Sequence, residues 1–198
     1  MTTGAPWLVV GLGNPGPAYA GHRHNVGYRV VEELADRISA RFAPLRGIRA
    51  EVAEGRLGGP GADSPRLVLA KSRTFMNETG GPVSRLLAYY KLELDRMAVV
   101  HDELDIEPGQ LRVKRGGGDN GHNGLRSIRA ALGGAGDFYR IRVGVGRPPG
   151  RQDPADFLLS NFPAGARESV ALEVGRAADA VESLVSAGLE RTQNIFNS

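Results

Sequence analysis

Short apolar runs alternate with helical stripes along this chain, and that alternation most constrains its fold. The strand-like runs are residues 7–11, 48–57, 66–70, 97–100, 110–114 and 139–145. Between them, apolar residues recur at helical spacing around residues 26–38, 83–90, 125–132 and 170–185. The position of Asn25 just before the first stripe predicts that it is the N-cap of that helix. The pattern predicts one α/β layered domain over residues 1–198, with a largely parallel sheet.

Composition excludes several classes of chemistry. The 198 residues contain no cysteine, so disulfides, thiolate metal sites and cysteine nucleophiles are ruled out. The first 16 residues lack the basic segment and long apolar run of a secretory signal, and no stretch reaches about 18 apolar residues. We therefore expect a cytoplasmic protein that makes no membrane contact.

Positive charge is concentrated in one segment of the chain. The net charge is only +3, but residues 110–151 contain nine Arg or Lys and two Asp, a net of +7. A basic segment of this kind is either an ordinary solvated surface or a binding site for a polyanion, of which nucleic acid is the first candidate.

The sequence Gly11-Leu-Gly13-Asn-Pro-Gly16 has the spelling of a dinucleotide-binding turn. That motif requires a helix that begins at the glycines, because the helix N-terminus binds the pyrophosphate. Here Pro17 and Gly21 follow, and the helical stripe begins only near Asn25. The acidic residues expected after a second strand instead fall within the helix. We therefore interpret the segment as a tight turn in which Gly16 has a positive φ.

A mostly polar set of side chains follows the predicted strands at their carboxyl ends, where open α/β sheets bind ligands. They are Asn14, Tyr19, His22, His24, Asn25, Lys71, Thr74, Phe75, Met76, Asn77, His101, Asp102, Glu103, Asp105, Asp119, Asn120, His122 and Asn123. Histidine, carboxylate and amide groups without a serine or cysteine nucleophile favour a hydrolytic site in which a base activates water. Each residue also has a structural alternative, such as a surface histidine, a turn amide or an N-cap at Asn123. The His22-Arg-His24 pair alone is a weak metal motif.

Four motifs in this order resemble the bacterial-type peptidyl-tRNA hydrolases. They are GLGNPGPAYAGHRHNVG, TFMN, HDELD and GGGDNGHNGLRSI, and RIRVGVGRP also matches, so that about three quarters of the chain is covered. The resemblance implies a single three-layer domain with a twisted, mostly parallel mixed sheet flanked by helices. It implies hydrolysis of the ester between a peptide's carboxyl end and the 3′ ribose of tRNA, by a monomer without metal or cofactor.

The resemblance also implies roles for individual residues. His24 corresponds to the catalytic histidine and Asp102 to its carboxylate partner. The substrate-binding residues would be Asn14, Tyr19, Phe75, Met76, Asn77 and Asn123. Arg112, Lys114 and Arg142 would bind phosphates of the acceptor stem and 3′ end of peptidyl-tRNA. Two features depart from the family pattern, an extra imidazole at His22 and a carboxylate at Asp119 in the glycine-rich loop.

Two rival functions follow from the same features. A non-catalytic RNA-binding protein could use the same fold and the basic segment, since fold does not determine function. A dehydrogenase would use the glycine-rich turn. The joint presence of His24 and Asp102 argues against the first, and the missing helix after Gly16 argues against the second.

Overall fold

A mixed sheet forms the centre of the molecule, in a computed structural model that describes residues 4–59, 61 and 63–197. Its strands are β1 (Trp7–Gly11), β2 (Ala43–Pro44), β3 (Ala50–Arg56), β4 (Arg66–Ser72), β5 (Met97–Glu103), β6 (Leu111–Arg115) and β7 (Tyr139–Gly144). Their order is β2-β3-β4-β1-β5-β7-β6. The central strands β4, β1, β5 and β7 are parallel, whereas β3 and β6 run antiparallel to them. Since β2 is antiparallel to β3, it runs in the same direction as these four, and five strands share one direction.

Helices cover both faces of the sheet. They are α1 (Val26–Arg37), α2 (Gly80–Tyr90), α3 (Asn123–Ala131), α4 (Pro154–Leu158), α5 (Arg167–Ala187) and α6 (Leu189–Phe196). One apolar core lies between the sheet and α1, α5 and α6, and a second lies between the sheet and α2 and α3. These three layers confirm the predicted fold class. Among the described residues, no helix is both long enough and apolar enough to cross a membrane.

All six predicted strands are present; β1 has the predicted bounds, and the other five have shifted ends. The largest shift is in β5, which continues beyond the predicted end at residue 100 through His101, Asp102 and Glu103. These residues stay in the sheet because β5 pairs with β7 as far as Glu103 opposite Gly144. Because their side chains are polar, a prediction based on apolar runs ended the strand too early. The two-residue strand β2 was not predicted, nor were the short helices α4 and α6.

The segment after β1 is a turn and loop, as predicted. Gly16 has φ +105°, and the chain enters a 3₁₀ turn, Arg23–Asn25, only just before α1. Asn25 does occupy the position before α1, but the prediction that it caps the helix was wrong. Its side chain makes no cap hydrogen bond and binds the backbone of Asn14 instead.

Helix α1 lies unusually close to the sheet because glycines face each other at the contact. A Cβ added to Gly27 would be 2.3 Å from the carbonyl oxygen of Val100 and 2.6 Å from the backbone nitrogen of Leu12. A Cβ on Gly11 would be 2.3 Å from the carbonyl oxygen of Gly27. All of these neighbouring atoms belong to the backbone. A larger residue at Gly11 or Gly27 would therefore push α1, and the 3₁₀ turn before it, away from the sheet.

We predict that Gly27→Ala lowers the free energy of unfolding by about 1–3 kcal/mol, the usual cost of overpacking. The control is Gly81→Ala in α2, where an added Cβ meets no described atom within 4 Å. That change should be neutral or stabilising, since alanine favours helix. Urea unfolding of both variants measures the difference, and equal stabilities would contradict the close-approach argument.

Candidate active site

The carboxylate of Asp102 lies between two imidazole rings, and each of its oxygens forms a hydrogen bond with one ring. Its Oδ2 is 2.7 Å from His24 Nδ1, and its Oδ1 is 2.8 Å from His122 Nε2. The Asp102 side chain is 1% exposed, and both imidazoles are buried. His24 comes from the 3₁₀ turn before α1, and His122 directly precedes α3. Three chain segments therefore meet at one carboxylate.

The hydrogen bonds of the two rings indicate opposite tautomers. His122 Nδ1 accepts from the backbone N–H groups of Gly124 and Leu125, at 3.1 and 3.4 Å, so this nitrogen holds a lone pair. Nε2 of His122 then carries the proton that is donated to Asp102. His24 donates through Nδ1, so its Nε2 keeps the lone pair. Nε2 of His24 is the nitrogen that can accept a proton from a substrate or water.

The electrostatics of the cluster suit a base. Burial by itself would lower the pKa of His24, but the charge of Asp102 and its hydrogen bond outweigh burial, and the pKa is raised. Burial would raise the pKa of Asp102, but the two histidines outweigh it and hold that pKa well below its usual range. Asp102 is therefore an anion at neutral pH, and it stabilises the imidazolium that forms when His24 takes a proton.

His101 contributes a third, neutral imidazole behind the cluster. Its Nδ1 donates to the carbonyl oxygen of Asp102 at 2.7 Å, and its ring packs edge-on against His122 with centroids 5.0 Å apart. Burial and the neighbouring His122 lower the pKa of His101 to about 3. His101 is thus uncharged over the physiological range and supports the ring of His122 without adding charge.

Asn14 is held with its amide group in one orientation. The side chain of Asn25 accepts from the Asn14 backbone N–H and donates to the Asn14 carbonyl, both at 2.9 Å. The Oδ1 of Asn14 accepts the backbone N–H of Met76 at 2.7 Å. Since the oxygen is occupied, the Nδ2 amino group of Asn14 is the part that remains free to donate to a ligand.

These groups border a cleft of about 290 Å³. It is lined by Asn14, His24, Met76, Asn77, Leu104, Gly121, His122, Asn123, Pro154, Ala155, Leu158 and Leu159. Five residues predicted from sequence are thus brought together: Asn14, His24, Met76, Asn77 and Asn123. Asp102 lies behind His24. Tyr19 and Phe75 are outside this lining and form an edge-to-face pair with centroids 5.9 Å apart, in which Phe75 is 52% exposed.

The predicted phosphate-binding residues form a basic ladder on one face of β6 and β7. Arg112 pairs in register with Arg142, and Lys114 pairs with Arg140. Burial and the charges of Arg142 and Arg140 lower the pKa of Lys114, and burial also lowers that of Arg142. Like charges held together in this way favour a bound anion, which would relieve their repulsion.

Arg140 differs from the other members of the ladder, because it is 1% exposed and holds the glycine-rich loop. Its guanidinium donates to the carbonyl oxygens of Gly117 (2.6 Å), Gly118 and Gly136 (3.1 Å). The carboxylate of Asp119 in the same loop accepts from the backbone N–H of Gly121 at 3.0 Å and lies 3.6 Å from Arg129. Asp119 therefore neutralises an arginine of α3.

The residues that could hold a metal ion differ from the His22 and His24 pair suggested by the sequence. His22 does not join His24, since its ring packs edge-on against Tyr19 with centroids 5.4 Å apart. The ligand atoms of His24, Asp102 and His122 instead lie within 4.8 Å of one another. Both carboxylate oxygens there face protonated ring nitrogens, so a cation would have to break two buried hydrogen bonds. The donor set fits a hydrogen-bonded relay better than a metal centre.

Comparison with known proteins agrees with this geometry. Residues 8–198 match the family model described as peptidyl-tRNA hydrolase. The chain belongs to the peptidyl-tRNA hydrolase family. It is 55% identical over 195 residues to the peptidyl-tRNA hydrolase of Streptomyces coelicolor, covering 98% of this chain and 96% of that protein. It is 53% identical over 197 residues to that of Cutibacterium acnes, covering 97% and 98%.

A solved relative shares the whole fold. The crystal structure of peptidyl-tRNA hydrolase from Acinetobacter baumannii superposes with a TM-score of 0.85 at 32% identity, covering 98% of this chain and 95% of that chain. The family recognised from four sequence motifs is therefore confirmed, and with it the fold that places those motifs at one edge of the sheet.

Three residues of the site were missed as such by the sequence analysis. His122 was among the strand-end residues but received no role. It is the N-cap of α3, a position for which the sequence had suggested Asn123. Asn25 was interpreted as a cap, and Arg140 as part of the basic segment only. No local signal identified His122 as the cap, because asparagine is a preferred N-cap residue and histidine is not.

We predict that Asp102→Asn lowers the pKa of His24, because the carboxylate charge that raises it is removed. Titration of the His24 ring by NMR measures the change, with Asp105→Asn as the control. Asp105 is an exposed carboxylate bonded to Arg147 and should leave His24 unaffected. An unaltered His24 titration in Asp102→Asn would show that the pair does not couple as the geometry requires.

Proposed function

We propose that this protein hydrolyses peptidyl-tRNA by activating a water molecule with His24. Membership of the family supports the reaction, which is cleavage of the ester between the peptide and the tRNA 3′ ribose. The observation that carries the mechanism is the buried hydrogen bond from His24 Nδ1 to Asp102, which leaves Nε2 as a base beside a cleft. The residue roles below are part of this proposal.

The chemical step follows from that arrangement. His24 Nε2 takes a proton from water as the water oxygen attacks the ester carbonyl carbon, and Asp102 stabilises the imidazolium. The tetrahedral intermediate then collapses, the bond to the ribose 3′ oxygen breaks, and His24 returns its proton to that oxygen. General-base assistance of this kind contributes roughly 10²–10⁴ in rate.

Amide groups of the cleft would bind the reacting carbonyl and the peptide. The free Nδ2 of Asn14 and the side chain of Asn123 are the donors proposed for the developing oxyanion. Asn14 suits this role because Met76 and Asn25 already hold it in place, which limits reorganisation during the reaction. Asn77 would bind the peptide backbone, a contact that accepts any side chain.

The basic ladder would bind tRNA phosphates through Arg112, Lys114 and Arg142, all of which are half-buried. Phosphate contacts position a nucleic acid without reading its bases, so tRNAs of different sequence would be accepted. The ladder lies on β6 and β7, at one end of the strand order. Asn77 instead follows β4, which β1 and β5 separate from the ladder. We propose that the acceptor stem lies over the ladder and that Tyr19 and Phe75 contact the terminal nucleoside. A cytoplasmic monomer that requires no metal completes the proposal.

We predict that His24→Ala lowers turnover of peptidyl-tRNA by at least about a hundredfold and leaves the melting temperature nearly unchanged. The control is His22→Ala, because His22 lies two residues away and packs on Tyr19, whereas the Asp102 carboxylate bonds His24 and His122. Hydrolysis of N-acetylated aminoacyl-tRNA measures both variants. If His22→Ala proved to be the damaging change, the assignment of the base would be wrong.

We also predict that Lys114→Ala weakens binding without impairing the chemistry. It should raise KM for full-length peptidyl-tRNA and reduce the slope of log K against log salt by roughly one unit, since one phosphate contact is lost. A minimal substrate with only a peptide, the ester and adenosine should be hydrolysed normally. The charge-matched control is Arg85→Ala, an exposed arginine of α2 outside the ladder.

The specificity constants of these variants on both substrates, at two salt concentrations, decide the point. An equal loss on the minimal substrate and on full-length peptidyl-tRNA would place Lys114 in the catalytic centre and remove the ladder's separate role.

A further inference from the structure

A second cavity of about 530 Å³ lies on the far side of α4 from the catalytic cleft. Its lining includes Arg23, Val145, Phe157, Phe162, Ala166 and Glu173. Helix α4 separates the two spaces, since Pro154, Ala155 and Leu158 line the cleft and Phe157 lines this cavity. The proposed reaction uses none of the residues that line it.

The walls of the cavity are mainly apolar, with a few polar groups, which is typical of a small-molecule site. Phe157 and Phe162 contribute aromatic rings, and Val145, Val170 and three prolines add aliphatic surface. The volume lies within the range of about 300–1,000 Å³ that small-molecule sites occupy. Arg147 lines the rim and is already paired with Asp105 at 2.7 Å.

One cation at this cavity lacks a carboxylate partner. The guanidinium of Arg23 lies 4.0 Å above the ring of Phe157. Its Nη1 donates to the carbonyl oxygens of Ser160 and Asn161 and to the Ser160 hydroxyl. These acceptors are neutral, and among the described residues no carboxylate forms an ion pair with Arg23. Burial lowers the pKa of Arg23. A bound carboxylate would compensate its charge.

One anion at the same cavity lacks a cation partner. Glu173 on α5 is half-buried, and its carboxylate accepts a hydrogen bond from the backbone of Gly109. Within the described part of the chain no lysine or arginine pairs with it. Burial raises the pKa of Glu173. A bound ammonium group would stabilise the ionised carboxylate of Glu173, which burial disfavours.

We propose that this cavity binds a zwitterion with an apolar body, namely a short peptide with free termini and aromatic or aliphatic side chains. Its carboxylate pairs with Arg23, its ammonium group pairs with Glu173, and its side chains lie among Phe157, Phe162 and Val145. An uncharged apolar ligand would leave both charges uncompensated. This inference does not depend on the proposed reaction, since it uses a separate cavity.

The probe for the test is the dipeptide phenylalanyl-phenylalanine, with its N-acetylated and C-amidated forms as controls that each remove one charge. Two-dimensional NMR distinguishes the two spaces, with Val145 and Phe157 as reporters of the cavity and Met76 and Leu104 as reporters of the cleft. We expect saturable shifts at the cavity reporters. Each control should bind at least about tenfold more weakly, the loss of one charge-assisted hydrogen bond.

Variants test the proposed contact at Glu173. Glu173→Gln should remove the preference for the free amine over its acetylated form, whereas Glu168→Gln, an exposed position on the same helix, should not. Ala166→Leu should weaken binding of all three peptides by filling the cavity. Unchanged ester hydrolysis by these variants verifies that they fold. Shifts confined to the cleft reporters, no saturable shift, equal affinity for the three peptides, or a preference that persists in Glu173→Gln would each overturn the proposal.

Discussion

A buried carboxylate determines the arrangement of this active site. An ionised side chain that is almost fully removed from water is costly unless charged or hydrogen-bonding partners compensate it. Asp102 is such a group, and each of its oxygens receives an N–H from a different histidine. The tautomer of His24, the raised pKa of its ring and the position of the loop that ends at His122 all follow from that requirement.

The fold supplies the close contacts that this cluster needs. Gly11 and Gly27 let α1 approach the backbone of β1 and β5, and the 3₁₀ turn that carries His24 directly precedes α1. Asn25, from the same turn, binds both backbone groups of Asn14. The base and the amide opposite it are therefore positioned by neighbouring residues of one turn, so a displacement of α1 would disturb both together.

Sequence predicted the elements of this protein better than their contacts. Apolar periodicity located six strands and four helices, because burial on one or both faces leaves a regular pattern. It failed for β2, which is too short to show a period, and for the end of β5, where His101, Asp102 and Glu103 are polar yet stay in the sheet. Sheet order depends on pairing between strands that are distant in the chain, such as β1 with β5, and no local pattern records it.

The sequence predicted which residues belong to the site, but not which of them form hydrogen bonds with each other. Strand-end position and the family motifs pointed to His24, Asp102 and the three asparagines. That Asp102 bonds a second histidine, and that Asn25 holds Asn14 instead of capping α1, depends on where separate loops meet in space. The unpaired charges of Arg23 and Glu173 are equally invisible in sequence, where they lie 150 positions apart.

The central claim is that one carboxylate holds two histidines in opposite tautomers. Nitrogen-15 NMR of the histidine rings in the unmodified protein at neutral to mildly alkaline pH tests it directly, because protonated and unprotonated ring nitrogens have well-separated shifts. The account predicts a proton on Nδ1 and none on Nε2 for His24, and the reverse for His122. A proton on Nε2 of neutral His24, or on Nδ1 of neutral His122, would contradict it.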